Sequence, residues 1–359
     1  MNKFLKKVIS LIALTMFIVL TMIGCGSKAS NTKEETKDKE VNVICWSEYL
    51  PEQTLSEYEA STGIKVNMTT YASPDEMLAK VDSSPAGTYD VIIAPENYTS
   101  VLTKKNTLEK LDKQKLANFS NINPNYLGRE NDPKNTYSIP YMFASTVIVV
   151  NKDKVSDKIT SYKDLLNTKY KDSIVTIEDP SALVAMAAMA TGHDVNDASD
   201  STLKDDGEYL KKLMPNIHAF NGDSPKTLMI NGECSIGLIY GAEAALAQEQ
   251  NPSIEAVYPQ EGVYLGADVF MITDAAKNKD NAYNFVNYIL DGKVSAEISK
   301  VFPYINPNKA AQEYLPDSYK KNILKTVPNE IFSRACTLKD LGDDNSKIVD
   351  LFMKVKDTK

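Results

Sequence analysis

Acidic and aromatic side chains fall together at a few points of this chain. Trp46-Ser47-Glu48-Tyr49 sets the only tryptophan beside a carboxylate, Glu243 follows Tyr240 by three residues, Asp179 follows the apolar run Ile174–Ile177, and Asp268 directly precedes the run Val269–Ile272. An aromatic face next to a fixed carboxylate suits an organic ammonium. The ring offers cation–π and methylene contact, and the carboxylate is a charge-assisted acceptor. Singly, each residue has a plainer use: Trp46 as core, Glu48 and Glu243 as helix-start charges that complement a dipole. Jointly, they point to a cation-binding cleft.

Bond-making chemistry finds less support. The two histidines, His193 and His218, have no Cys, His or Glu partner at metal-ligand spacing. There is no phosphate-binding G-x-x-x-x-G-K-S/T, no strand-borne G-x-G-x-x-G and no G-x-S-x-G elbow. Glu178 and Asp179 are adjacent, so on a strand end they face opposite ways and cannot share one substrate bond. The acidic stretch Thr191–Gly207 fails as a calcium loop. Counted from Asp194, Ser199 and Asp205 stand where Gly and Glu are needed. No metal or other cofactor is expected, and an exported glycosidase-like hydrolase is the enzyme alternative.

Those residues need elements to carry them. The 359-residue chain opens with Lys3, Lys6 and Lys7, an apolar stretch Val8–Ile23, and the junction Gly24-Cys25-Gly26-Ser27. This reads as a lipoprotein signal peptide over residues 1–24, with Cys25 the lipidated residue. Residues 25–40 are polar and charged and read as a lipid anchor and flexible tether. Removal of residues 1–24 takes three lysines and no acid, moving the formal charge from −8 to −11. Such a body is a poor partner for nucleic acid and a plausible collector of cations. Cys45, Cys234 and Cys336 are an odd, widely spaced set, which argues against a disulfide framework.

Some 320 residues remain, more than one core usually supports, so two lobes are expected. Short apolar runs alternate with helical segments, the pattern of an α/β protein with mainly parallel sheets. Strands are predicted at Val41–Cys45, Lys65–Thr70, Val91–Ala94, Thr146–Asn151, Ile174–Ile177, Ser235–Tyr240 and Val269–Ile272. Helices are predicted at Pro51–Thr62, stopped by Gly63, and at Pro74–Val81, where Ser73, Pro74 and Glu76 make a capped start. A helix-rich end runs from Lys279 to Lys354. In an open α/β sheet the ligand crevice lies beyond the carboxyl ends of the strands, which is where Trp46, Asp179 and Tyr240 fall.

The same segments carry a family resemblance. Trp46-Ser47-Glu48-Tyr49, Thr62-Gly63-Ile64-Lys65-Val66, Tyr89-Asp90-Val91, Tyr137-Ser138-Ile139-Pro140-Tyr141, Lys212-Leu213-Met214-Pro215-Asn216 and Tyr304-Ile305-Asn306-Pro307-Asn308 resemble the spermidine/putrescine-binding proteins of polyamine ABC importers. The resemblance runs from Val41 to the C-terminus. It implies a two-lobed periplasmic-binding-protein-like fold of type II, each lobe a mainly parallel sheet flanked by helices. Hinge crossings are implied near Ser145–Val150, Tyr264–Asp268 and Glu313–Ser318. Residues 41–144 and 268–312 would form lobe 1, residues 148–264 and 318–359 lobe 2.

Carried over by position, the resemblance implies ligand-facing roles for Trp46, Ser47, Glu48, Tyr49, Asp179, Asp268 and Tyr304. The match departs from spermidine-binding members at Ala182, Tyr240, Gly266 and Leu338, where an acid, two tryptophans and a glutamine are usual. Glu243 matches the acid that putrescine-type members place three residues after the position of Tyr240. The implied function is a monomeric, extracytoplasmic, lipid-anchored binding protein without catalysis. It would capture a polyamine between its lobes and deliver it to permease subunits driven by a cytoplasmic ATPase. Another organic cation or amino compound is the alternative ligand.

Overall fold

A computed structural model describes residues 39–359 apart from Glu48 and Asp223. The expected signal peptide, Cys25 and most of the tether lie outside the described residues, and so does Glu48. Among the described residues, no helix is long and apolar enough to cross a membrane.

The runs rich in Val and Ile form strands, since β-branched side chains fit a pleated, covered surface. β1 (Glu40–Trp46), β2 (Lys65–Tyr71) and β3 (Val91–Pro95) are parallel, with β1 in the middle. β5 (Ile174–Thr176), β6 (Ile217–Phe220) and β7 (Ile236–Tyr240) form a second parallel set, with β5 in the middle. Two long strands, β4 (Ser138–Asn151) and β9 (Val263–Ile272), lie between the sets and run antiparallel to each other, β9 also to β3 and β4 also to β7. The order is β2-β1-β3-β9-β4-β7-β5-β6, with β8 (Ile254–Val257) on β4 and β10 (Ala335–Cys336) on β9. Each sheet is thus parallel in its body and antiparallel where the two meet.

β4 joins the two sheets. Up to Ser145 it pairs with β9, and from Thr146 it pairs with β7. Sequence reading caught only its second half, because Pro140 cannot donate to a ladder. The strand absorbs that residue at a register shift between Pro140 and Met142. β9 likewise begins six residues before the predicted Val269, so that Asp268 lies inside the strand. There Val263, Leu265, Ala267 and Val269 are buried, while Tyr264, Gly266 and Asp268 on the other face are only partly so.

Helices form where sequence signals place them. The helix Glu52–Thr62 ends at Gly63, whose φ of 69° suits a residue without a Cβ. The helix Pro74–Ser83 starts with Ser73 accepting from the Glu76 amide at 3.2 Å, while the Glu76 carboxylate accepts from the Ala72 amide at 2.7 Å. Apolar residues pack into one large cluster around the second sheet and two clusters on either face of the first. The C-terminal stretch touches both regions. Leu324, Ile348, Phe352 and Val355 join the second-sheet cluster, and Val327 and Ile331 pack with Ile44, Phe143 and Leu265. Cys45, Cys234 and Cys336 are free thiols.

Candidate functional site

Both parallel sets aim their carboxyl ends at the seam where β4 and β9 meet. β1 ends in Trp46, which forms a tilted pair with Tyr71 at 4.5 Å between ring centroids. Trp46 Nε1 donates to Asp268 Oδ1 at 3.3 Å, and Tyr49 Oη donates to Asp268 Oδ2 at 2.6 Å. The Tyr49 ring is held edge-on by Tyr141 at 5.2 Å and Tyr304 at 5.1 Å, and Tyr141 Oη donates to the Tyr49 carbonyl at 2.7 Å. These contacts build a wall of aromatic rings around one carboxylate. Ser47 is exposed in the turn after β1.

The second sheet contributes an acid and a phenol. Asp179 follows β5 and caps the helix Pro180–Thr191, accepting from the Ala182 amide at 3.0 Å with Oδ1. Its Oδ2 accepts from Tyr240 Oη at 2.8 Å. Tyr240 ends β7 and is paired in register with Thr146, next to the Ser145–Leu265 pair, so it stands beside β9 at the seam. The structure therefore gathers Trp46, Tyr49, Asp268 and Tyr304 on one side, and Asp179 and Tyr240 on the other.

Glu243 is differently employed. It lies in the first turn of the helix Gly241–Gln250, and both its oxygens accept from Lys226 Nζ, at 2.9 and 3.0 Å.

The electrostatics of the seam favour an incoming cation. Burial pushes the Asp268 carboxyl up to about 6, the hydrogen bonds from Tyr49 and Trp46 resist this, and the nearby charges of Glu96 and Asp179 add to it. Among the described residues, no Lys, Arg or His is ion-paired with Asp268 or Asp179. Burial, then Asp179, pushes the Tyr240 phenol well above its ordinary range, so it stays a neutral donor.

Sequence reasoning passed over four residues here. Glu96 and Tyr98 follow the end of β3, so the strand-end rule applied to β1, β5 and β7 would have found them. Glu96 is buried and grips Arg129 through contacts of 2.7–2.9 Å. Arg129 Nη2 also donates to the Leu265 carbonyl at 3.2 Å and to Thr337 Oγ1 at 2.7 Å. The fourth, Tyr264, carries no sequence signal beyond its place on the hinge strand.

The family described as bacterial extracellular solute-binding protein matches residues 53–326. The chain belongs to this family. It is a solute-binding protein rather than an enzyme, and it works outside the cytoplasmic membrane. It is 33% identical over 312 residues to the spermidine/putrescine-binding periplasmic protein of Salmonella typhimurium, covering 87% of this chain and 90% of that one. A solved Listeria monocytogenes structure named as a candidate spermidine/putrescine ABC transporter superposes with a TM-score of 0.84 at 26% identity, over 89% of this chain and 99% of that one. The spermidine/putrescine ABC transporter substrate-binding protein PotD of Streptococcus pneumoniae superposes with a TM-score of 0.78 at 28% identity, over the same shares. The two-lobed solute-binding fold expected from the sequence is the fold of these neighbours.

Proposed function

We propose that the protein captures a polyamine, putrescine or spermidine, at the seam between its sheets and presents it to the permease of an ABC importer. The observation that carries this reading is Asp268, a half-buried carboxylate held by Trp46 and Tyr49, with Tyr304 packed on the Tyr49 ring, and given no cation of its own among the described residues. A linear polyamine has a charge at each end and methylenes between, so it needs two acceptors and an aromatic wall. Asp268 takes one ammonium, and Ser47 and Glu48 remain ligand candidates by their place in the sequence after Trp46. Asp179, braced by Tyr240, takes the other. Glu243 holds Lys226 and is a lesser candidate for that second role, because its charge is already neutralised where it stands.

Lobe 1 in this reading comprises residues 41–144 and 268–312, lobe 2 residues 148–264 and 318–359, with the crossing in β4 between Ser145 and Thr146. Ligand between the lobes would favour closure by adding contacts to both. The monomer is lipid-anchored through Cys25, which the Gly24-Cys25-Gly26-Ser27 junction supports.

Native mass spectrometry of protein purified from its own cells, followed by calorimetry with putrescine and spermidine, tests the ligand. One bound amine, returned chemically intact, is expected. Saturable binding of a non-cationic solute with no amine binding would overturn the proposal. Fatty-acid labelling that survives Cys25→Ala would overturn the anchor.

A further inference from the structure

Residues two apart on a strand point the same way, so Tyr264, Gly266 and Asp268 share one face of β9. Their partial exposure, set against the buried Val263, Leu265 and Ala267, makes that face the one turned to the site. Gly266 leaves its middle bare, and the Tyr264 ring lies over the gap. A Cβ on Gly266 would meet Tyr264 Cζ at 2.7 Å and Cε1 at 3.3 Å, with the phenolic oxygen nearer still. Gly266 is not among the glycines with positive φ. Its backbone does not call for glycine, so what glycine supplies here is space for the tyrosine.

The hydroxyl of Tyr264 also differs from those of four tyrosines around it. Those of Tyr49, Tyr71, Tyr141 and Tyr240 all donate to protein oxygens. That of Tyr264 has no hydrogen-bond partner among the described residues. Burial, then the carboxylates of Asp179, Glu96 and Asp268, keep this phenol neutral by raising its acidity threshold well above the ordinary range.

Resting on the polyamine reading, we propose that Tyr264 is a specificity-determining residue. Its ring fills the place that a side chain at position 266 would take, and its hydroxyl accepts an N–H from one ammonium of a polyamine whose two ends lie at Asp179 and Asp268. Aromatic faces attract primary and quaternary ammonium ions alike, whereas a hydroxyl acceptor rewards only an ion with N–H donors. Tyr264 would therefore tell a primary amine from its permethylated counterpart.

Calorimetry on the full protein with putrescine and with its bis-trimethylammonium analogue tests this. Tyr264→Phe keeps the ring and should weaken putrescine about tenfold, the scale of one hydrogen bond to a charged group, while the quaternary analogue changes less than about twofold. Gly266→Ala, which must push the tyrosine aside, should weaken putrescine similarly. In the Tyr264→Phe background it should cost putrescine less than it does alone, as expected of coupled positions. Parent-like putrescine affinity in Tyr264→Phe, or equal losses for both ligands, would overturn the inference alone. A parent protein that binds no amine would overturn the polyamine reading and this inference with it.

Discussion

Two acidic groups near the seam, Asp268 and Glu243, are set in opposite surroundings. Asp268 receives two neutral donors, an indole and a phenol, and burial raises its pKa to about 6. Glu243 has a lysine across both oxygens, and both partners are largely shielded, with 13% and 18% of their side chains exposed. Neutral donors orient a carboxylate without cancelling its charge, so Asp268 keeps an attraction to spend on a ligand. An ion pair satisfies the charge internally, and a ligand amine at Glu243 would have to displace Lys226. A shielded acid near a strand end is thus open to a cationic ligand only where the protein leaves it without a cation of its own.

The sharpest way to break this comparison is to remove the open charge. Losing one partner of a desolvated charge pair costs about 3–5 kcal/mol, roughly a hundredfold or more in affinity. Asp268→Asn, which preserves shape, should weaken putrescine by that order in calorimetry. Asp179→Asn should follow, with a smaller loss, since Asp179 caps the helix Pro180–Thr191 and the positive end of that helix already offsets part of its charge. Parent-like binding in Asp268→Asn would place the site elsewhere.

Acidity offers a graded version of the same test. An ammonium binds the carboxylate form of Asp268, so affinity should be flat above about pH 7 and fall below about 6, approaching tenfold per unit of pH. The sign for stability is opposite. A carboxyl with a raised folded pKa binds its proton more tightly when folded, so its contribution destabilises the empty protein as pH rises from 3.8 through about 6, and is relieved as pH falls. Asp268→Asn should remove this component from both profiles.

How much of this was legible in the chain follows from the range of each signal. β1, β3, β5 and β7 were visible because their apolar runs are local, and Trp46, Asp179 and Tyr240 were found because strand ends are. The first half of β4 was hidden by Pro140, and the start of β9 by Gly266 and Asp268, which break an apolar pattern although only one face of that strand is buried. Glu243 and Asp268 look alike in sequence. Lys226, which separates them, is 17 residues from Glu243 and reaches it only through the fold. Tyr264 was hidden for the same reason: its role depends on an empty place two residues on. Much of the Tyr304–Asn308 motif is structural, as Asn306 binds Ser295 and Ser299 while Asn308 caps the turn that follows.

The smallest expected effect on binding belongs to Glu243→Ala. If Lys226 already neutralises this carboxylate, removing it takes away no open charge, and putrescine affinity should change less than about threefold. Stability should change more. Lys226 would be left largely shielded without its partner, and the melting temperature should fall by about 2–4 °C for each kcal/mol lost, on the scale of a domain this large. Lys226→Met with Glu243→Gln, which removes both charges, should recover much of that loss, because an apolar replacement of a shielded ion pair is often close to neutral. A hundredfold drop in putrescine affinity for Glu243→Ala, without a matching loss in Asp179→Asn, would reverse the assignment and make the lysine-bound acid the second acceptor.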